Sequence, residues 1–177
     1  MDEMLRRTWE DVAACWSDYE SPLRPHAQDV RMMRESVARW HAENPVAKAS
    51  VFLCGVTPEI ATMEWPFPIE MTAMDQAQRM VDLVWPGDVP GVRKAIVGNW
   101  RDSGLADGSQ DIVVGDGGFG FFSYPEDQHD LACELRRVLR PDGLFVYRHY
   151  AQARDRESMS DVLDDMRHGR IGNFHIF

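Results

Sequence analysis

The strongest constraint on the fold of this chain is a short run, residues 50–54 (SVFLC), that is apolar at every position after Ser50 rather than alternating. An unbroken apolar run is typical of a strand covered on both faces, as the central strands of a parallel sheet are. Gly55 ends the run, and a residue without Cβ lets the backbone turn sharply and lets a ligand approach the main chain. Pro58 can then begin a short helix, whose first N–H groups suit an anionic group. We therefore predict a central strand, a ligand loop and a short helix.

A second run, residues 68–75 (PIEMTAMD), follows and ends in a carboxylate, Asp75. At the end of a strand beside the Gly55 loop, this carboxylate is well placed to accept two hydrogen bonds from a ribose diol. Alternatively, Asp75 caps a helix that begins at Gln76, because aspartate is favoured just before the first helical turn. The two roles are compatible, and the sequence leaves both open.

The rest of the chain alternates predicted strands with predicted helices. Further strands are predicted at residues 94–98, 111–114 and 144–147, and further helices at residues 77–84 and 159–166. The clearest helix begins at Ser123-x-x-Glu126, which has capping-box spacing, and continues through Leu139 and Arg140. A turn at residues 141–143 (PDG) then leads into the fifth strand. Such alternation indicates an α/β fold with parallel strands and right-handed crossovers.

Two amphipathic helices are predicted before the sheet, at residues 4–19 and 28–41, because apolar side chains recur there at helical spacing. Residues 1–46 are therefore expected to form a helical cap, and residues 47–177 the ligand-binding domain. The two helical stripes carry Trp9, Trp16 and Trp40. Tryptophans at this spacing are usually core residues, and the alternative is that they cover a ligand.

Length and charge limit the classes of partner. A chain of 177 residues is long enough to bury a sizeable core without disulfides, and its formal charge of −10 opposes binding to nucleic acid. Cys15, Cys54 and Cys133 lie far apart and are predicted to be reduced core thiols of a cytoplasmic protein. No stretch is apolar enough for a membrane span, and no histidine spacing indicates a metal site.

Candidate ligand positions follow four predicted strands, namely the Gly55 loop, Asp75, Asn99–Trp100 and Asp116–Gly117. In open parallel sheets, ligands bind at these carboxyl ends, near the switch in strand order. The arrangement resembles the class I S-adenosylmethionine-dependent methyltransferases over about residues 50–150. The resemblance is strongest in residues 134–144 (ELRRVLRPDGL), which look like that family's passage from helix to fifth strand.

The resemblance implies a Rossmann-like parallel sheet in the order 3-2-1-4-5 and S-adenosylmethionine as cofactor. By similarity, Gly55 faces the methionine part of the cofactor, Asp75 the ribose, Asn99 the adenine amino group, Trp100 the adenine ring and Asp116 the methionine end. Thr57, Glu59, Gln76 and Gly117 complete the implied cofactor site. Two alternatives remain open from the residues themselves: Asn99 is a turn residue, and Trp100 is a core residue.

Residues 115–120 (GDGGFG) match the dinucleotide pattern G-x-G-x-x-G and follow a predicted strand, which suggests a nicotinamide dinucleotide as a competing cofactor. The surrounding sequence does not fit a dinucleotide site. Such a site requires a helix that starts directly after the glycines and a next strand that ends in an acidic residue. Here residues 121–125 intervene, and the next strand ends in Arg148-His149. Nicotinamide binding is therefore disfavoured.

The resemblance implies methyl transfer, which is an in-line displacement that alignment of the two partners can accelerate without a universal base. Tyr124, Tyr147, His149 and Glu59 are the side chains that could deprotonate or orient an acceptor, and none is singled out as catalytic. We expect a small-molecule acceptor. The alternative is a catalytically silent S-adenosylmethionine binder or an interaction protein on the same sheet.

The end of the chain gives a further expectation. In the family, the sheet continues beyond the fifth strand with a helix and an antiparallel hairpin, and residues 169–177 are too few to supply that hairpin. The chain is therefore expected to be truncated or to dock its apolar end elsewhere. With the fifth strand near an edge, self-association through that edge is expected. The alternative is that the tail folds back over the strand and leaves a monomer.

Overall fold

The computed structural model describes residues 3–151 and 157–170. Its sheet contains β1 (Ala49–Cys54), β2 (Ile69–Asp75), β3 (Arg93–Val97), β4 (Gln110–Asp116) and β5 (Leu139–Arg148). All neighbouring strands are parallel and their order is β3-β2-β1-β4-β5. The predicted fold class and strand order are confirmed.

The helices flank this sheet. They are α1 (Glu3–Ala14), α2 (Ala27–Glu43), α3 (Pro58–Ala61), α4 (Gln78–Leu83), α5 (Glu126–Val138) and α6 (Met159–Arg167), with two 3₁₀ helices at Trp16–Asp18 and Gly118–Phe121. Within the described residues, no helix combines the length and apolarity that a membrane crossing requires.

The central position of β1 explains its unbroken apolar sequence. Val51 and Leu53 point into one core with α2 and the neighbouring strands, whereas Phe52 and Cys54 point into a second core with α5. All four side chains are at most 1% exposed. Because side chains of a strand alternate between its faces, a strand with a core on each side has to be apolar at every position.

The passage from α5 to β5 differs from the prediction. Leu139 and Arg140 were predicted to end the helix, but α5 ends at Val138 and β5 begins at Leu139. Leu139 pairs with Gln110 and Leu144 with Ile112, so that residues 140–143 bulge out of the strand. The bulge is held because the buried Asp111 carboxylate pairs with Arg140 and accepts a hydrogen bond from the Ser50 backbone N–H at 2.7 Å.

The predicted capping box at Ser123 is wrong. The residue that precedes α5 is Pro125, and no side-chain hydrogen bond caps the helix. The backbone carbonyl of Ser123, not its hydroxyl, accepts a hydrogen bond from the Gln128 N–H at 3.3 Å. Pro125 intervenes between Ser123 and the helix, so the helix starts two residues later than the capping-box spacing requires.

The prediction of core thiols holds only for Cys54, because Cys15 and Cys133 are exposed. Cys15 lies just after the end of α1, where the stripe of apolar residues stops. Cys133 lies on the outer face of α5, opposite the buried Leu131 and Leu135.

The strands β3 and β5 form the two edges of the described sheet. Phe145 of β5 is 44% exposed, and α6 leaves its apolar residues Met159, Leu163 and Met166 exposed. Self-association through the β5 edge stays a prediction. Residues 171–177, on which the prediction about the chain end depends, lie outside the described residues.

Candidate functional site

A cleft lies at the carboxyl ends of β1, β2 and β4, where the strand order reverses. It encloses about 600 Å³ of space, part of it open to solvent. Its walls are made by Trp9, Trp16, Leu23, Cys54, Gly55, Val56, Thr57, Asp75, Met80, Trp100, Asp116, Gly117, Phe121 and Tyr150. We call this space the cleft throughout. Its position is the one that open parallel sheets use for ligands.

Gly55 turns the chain out of β1 into the cleft. Its φ is +101°, a conformation that residues with a side chain rarely adopt. Its backbone N–H donates to the Met74 carbonyl at 2.8 Å, which ties the loop to the end of β2. A side chain at this position would approach the Trp100 ring and the Thr57 hydroxyl at 3.8 and 3.9 Å. These are ordinary van der Waals distances, so the positive φ, rather than a lack of space, is what requires glycine here.

Asp75 places a buried carboxylate at the end of β2. Its side chain accepts hydrogen bonds from backbone N–H groups, among them that of Ala77 at 2.9 Å. Burial raises the pKa of Asp75 to about 6. Because the pKa is raised, Asp75 stabilises the folded state most at pH values below its ordinary pKa, where the side chain is protonated. This contribution to the free energy of unfolding is lost as the pH rises through 6. At neutral pH the carboxylate is ionised and under-solvated, so a ligand that donates hydrogen bonds stabilises it.

The alternative role of Asp75 as a helix cap is realised only in part. The helix that follows, α4, begins at Gln78, and its N-cap residue is Ala77. Asp75 accepts from the Ala77 N–H in the turn before the helix. The carboxylate thus fixes the local turn and still lines the cleft.

Trp100 stands beside Gly55 with a fixed ring. Its indole N–H donates to the Met74 carbonyl at 2.6 Å, and its ring lies 6.0 Å from that of Phe122. The sequence left open whether Trp100 is a core residue or a wall of the site. It contributes to both, because it packs against the core and lines the cleft.

Asp116, at the end of β4, is held by an arginine. Arg148 of β5 donates from Nε to Oδ1 at 2.5 Å and from Nη2 to Oδ2 at 3.0 Å, a bidentate pair. Burial raises the pKa of Asp116, and the guanidinium opposes that rise. The side chains of Asp116 and Arg148 are 7% and 14% exposed, so that the pair is largely desolvated.

The glycines of residues 115–120 have a packing role that the dinucleotide pattern did not anticipate. A Cβ on Gly115 would lie 2.2 Å from the ring of Tyr147, and one on Gly118 would lie 2.2 Å from its hydroxyl oxygen and 2.5 Å from the Trp100 ring. The Gly118 N–H donates to the Tyr147 hydroxyl oxygen at 3.0 Å. Tyr147 and Trp100 therefore explain the glycines at these two positions. The helix that follows is a four-residue 3₁₀ turn, unlike that of a dinucleotide site.

We expect Gly115→Ala to destabilise the protein by about 1 kcal/mol or more, because the added methyl group overlaps the Tyr147 ring inside the sheet. Urea unfolding of the variant and the wild type measures this difference. Gly120→Ala is the matched control, since nothing lies within 4 Å of a Cβ at that position. Equal losses in the two variants would contradict the packing role of Gly115.

A second group of lining residues comes from outside the sheet. Trp9 belongs to α1, Trp16 and Leu23 to the segment between α1 and α2, Phe121 to the second 3₁₀ helix, and Tyr150 follows β5. Trp9 and Phe121 pack edge to face with ring centroids 5.1 Å apart. The sequence offered Trp9 and Trp16 only as an alternative cover, whereas Trp40 is buried. Leu23, Phe121 and Tyr150 carry no periodic signal and were missed.

Hydrogen bonds hold the segment between α1 and α2 against the cleft at two points. The Pro22 carbonyl accepts hydrogen bonds from Arg148 Nη1 at 2.9 Å and from the Tyr150 hydroxyl at 2.6 Å. On the other side, Arg24 Nε donates to Glu59 of α3 at 2.8 Å. Trp16 and Leu23 are held against the cleft by these contacts.

Three of the nine residues that the family resemblance predicts for the cofactor site do not line the cleft. Glu59 is engaged by Arg24. Asn99 accepts a hydrogen bond from the Arg101 N–H at 3.1 Å, which is the turn role left open by the sequence. Gln76 directs its backbone N–H to Asp75. The other six, Gly55, Thr57, Asp75, Trp100, Asp116 and Gly117, do line it.

The side chains considered as bases also lie away from the lining. Tyr124 is 82% exposed, His149 is exposed, and Glu59 is paired with Arg24. Burial raises the pKa of Tyr147, whose hydroxyl oxygen accepts the Gly118 N–H. In the part of the chain that the structure describes, no group of His, Cys, Asp and Glu could hold a metal ion.

Solved structures from Rhodobacter sphaeroides, Bacillus subtilis and Methanococcus maripaludis are among those that share this fold with a TM-score above 0.5. A protein from Rhodobacter sphaeroides, provisionally named a Zn-dependent alcohol dehydrogenase, gives a TM-score of 0.66 at 17% identity, covering 96% of this chain and 63% of that chain. The YcgJ protein of Bacillus subtilis gives 0.57 at 22% identity, with coverages of 80% and 56%. A protein from Methanococcus maripaludis, provisionally named an S-adenosyl-L-methionine-dependent methyltransferase, gives 0.53 at 13% identity, with coverages of 82% and 63%.

These identities show likeness of fold alone, and this chain spans less than two thirds of the length of each of the three proteins. No curated protein matches the sequence.

A family model described as a methyltransferase domain matches residues 53–147, more than half of the chain. The match begins in β1 and ends in β5, and it includes the cleft residues Gly55, Asp75 and Asp116. The chain therefore belongs to the methyltransferase domain family and has the Rossmann-like fold of the class I S-adenosylmethionine-dependent methyltransferases.

Proposed function

We propose that this protein binds S-adenosylmethionine in the cleft and transfers its methyl group to a small molecule. The observation that carries the proposal is the buried carboxylate of Asp75, ionised at neutral pH, at the end of β2 in a cleft that Gly55 also lines. A carboxylate in this position accepts hydrogen bonds from a ribose diol.

The proposed cofactor contacts follow the walls of the cleft. Asp75 accepts from the ribose hydroxyls, Trp100 lies against the adenine ring, and Gly55 and Thr57 approach the methionine part. Asp116 and Gly117 lie at the methionine end, where Asp116 can share its carboxylate between Arg148 and a ligand ammonium group. The helices of residues 1–46 serve as the cap, since Trp9 and Trp16 line the same cleft.

The bound cofactor would supply a methyl group on a sulfonium: the acceptor's lone pair forms the new bond to carbon as the carbon–sulfur bond breaks and sulfur becomes a neutral thioether. The contribution of the chain is to hold the two partners in line, because orientation alone can supply much of the acceleration. The aromatic residues that line the cleft reduce the access of water to it. A proton released by the acceptor passes to solvent.

Two measurements test the proposal. Calorimetric titration with S-adenosylmethionine measures cofactor binding, and transfer of a radiolabelled methyl group across a panel of small metabolites measures activity. Binding with transfer supports the enzyme. Binding without transfer to any member of the panel favours the alternative, a silent S-adenosylmethionine-binding protein, and absence of binding contradicts both.

The affinity for S-adenosylmethionine is expected to fall about fourfold from pH 7.5 to pH 5.5. The pKa of Asp75 in the free protein is about 6, and ribose donors favour the ionised form, so binding is coupled to proton release below that pH. Calorimetry at several pH values measures the change. In Asp75→Asn the slope should disappear, and a slope of the same size in that variant would show that another group titrates.

A further inference from the structure

The lining residues that come from outside the sheet form a second wall of distinct chemistry. Trp9, Trp16, Leu23, Phe121 and Tyr150 present rings and one branched aliphatic side chain to the cleft. The residues proposed for the cofactor all lie at the ends of strands or in the loops that follow them. If the cofactor occupies those positions, the second wall is the surface that remains for a methyl acceptor.

The charges around the cleft have one sign. Among the lining residues that the structure describes, the charged ones are Asp75 and Asp116, and none is Lys, Arg or His. Arg148 donates hydrogen bonds to both carboxylate oxygens of Asp116 and is therefore already paired. Arg24 is likewise taken up by Glu59. An acceptor with a carboxylate or phosphate would therefore find no free side-chain cation among the described lining residues to pair with.

One wall residue carries an unused hydrogen-bond donor. In the part of the chain that the structure describes, the Trp16 indole N–H is buried and has no hydrogen-bond partner. The Arg24 guanidinium lies over the face of the same ring, 5.3 Å from its centroid. Buried donors in folded proteins nearly always have an acceptor, so an unpaired one on a residue that lines a cleft is a candidate donor to a bound ligand. A carbonyl oxygen, an ether oxygen or a ring nitrogen would satisfy it.

We propose that the methyl acceptor is a neutral, flat, mainly apolar molecule, whose ring lies against Trp9, Trp16 and Phe121 and whose oxygen or ring nitrogen accepts a hydrogen bond from the Trp16 indole N–H. The proposal rests on the proposed methyltransferase function. It adds the charge, the shape and one polar contact of the acceptor.

Two pairs of small probes test it, each pair matched in shape, in protein saturated with S-adenosylhomocysteine. Benzamide and benzoate differ in charge, and quinoline and naphthalene differ in one hydrogen-bond acceptor. Nuclear magnetic resonance of the ¹⁵N-labelled tryptophan side chains reports both affinity and the indole that responds. We expect benzamide to bind at least tenfold more tightly than benzoate, and quinoline at least fivefold more tightly than naphthalene, with a shift of the Trp16 indole resonance.

Two variants locate the polar contact. Trp16→Phe keeps an aromatic face but removes the N–H, and it should make quinoline and naphthalene bind equally. Trp65→Phe is the matched control, because the Trp65 indole N–H is also buried and unpaired but lies outside the cleft, near Phe67. It should leave all four affinities unchanged.

Benzoate binding as tightly as benzamide, a quinoline preference that survives Trp16→Phe, or failure of all four probes to bind would each overturn the inference. Failure of the wild-type protein to bind S-adenosylmethionine would instead overturn the proposed function. Cofactor binding together with a preference for anionic probes would overturn the acceptor class alone.

Discussion

Replacing Arg148 with methionine is expected to lower the free energy of unfolding by about 3 kcal/mol, the range found when one partner of a buried ion pair is removed. The change leaves the Asp116 carboxylate, 7% exposed, without its bidentate partner. We place the effect at the lower end of that range because Arg148 itself is 14% exposed. Urea unfolding monitored by circular dichroism measures it.

The pH dependence of this loss has a defined sign. Burial already raises the pKa of Asp116, and removal of Arg148 raises it further. Protonation of Asp116 then relieves the unpaired charge, so the deficit of Arg148→Met should be larger at pH 8 than at pH 5.5.

Two controls separate the buried pair from the loss of any arginine. Adding Asp116→Asn to Arg148→Met should recover most of the loss, because no buried charge remains. Arg34→Met, which breaks an exposed pair with Glu64, should cost less than about 1 kcal/mol. A loss in Arg148→Met that is independent of pH and unaffected by Asp116→Asn would contradict the role given to this pair.

Asp75→Ala is expected to weaken S-adenosylmethionine binding by about 1.5–3 kcal/mol, the range for losing hydrogen bonds to a charged group. The carboxylate lines the cleft and is 8% exposed, so its hydrogen bonds to a ribose would be shielded from water. Calorimetry gives the affinity, and circular dichroism shows whether the fold is retained.

Asp82→Ala is the control for this variant. Asp82 is an exposed residue of α4 that accepts a hydrogen bond from Gln78, and it does not line the cleft. Its removal changes the net charge by the same amount and should leave the affinity within twofold. Unchanged affinity in Asp75→Ala with an intact fold would remove Asp75 from the proposed site. In the same assay, Asn99→Leu tests the adenine contact expected from the family resemblance, and wild-type affinity would remove Asn99.

The sheet could be predicted from the sequence because local pattern and burial agree in its central strands. Residues 51–54 are apolar at every position, and both faces of β1 are indeed covered there. The start of β5 could not be predicted in this way. Leu139 continues the apolar stripe of α5, and its place in a strand depends on pairing with Gln110 and on the contact between Arg140 and Asp111 across the sheet.

Part of the candidate site could likewise be predicted from the sequence, and part could not. Gly55 follows β1 directly, and Asp75 and Asp116 are the last residues of β2 and β4. The geometry of a parallel sheet brings these strand ends together. Glu59 and Arg24 are far apart in the sequence, and only the folded chain shows that they pair. Tyr147 lies in β5, and the need for glycine at positions 115 and 118 follows from its ring, which no local motif reveals.

The two sets of hydrogen bonds that hold the segment between α1 and α2 affect the rate at which ligands enter and leave the cleft. Trp16 and Leu23 of this segment line the cleft, while Pro22 is bound by Arg148 and Tyr150, and Arg24 by Glu59. A ligand that enters or leaves on this side can pass only after the hydrogen bonds at both points have broken. Opening of the segment then sets a ceiling on the association rate, and at high ligand concentration the observed rate would level off at the opening rate itself.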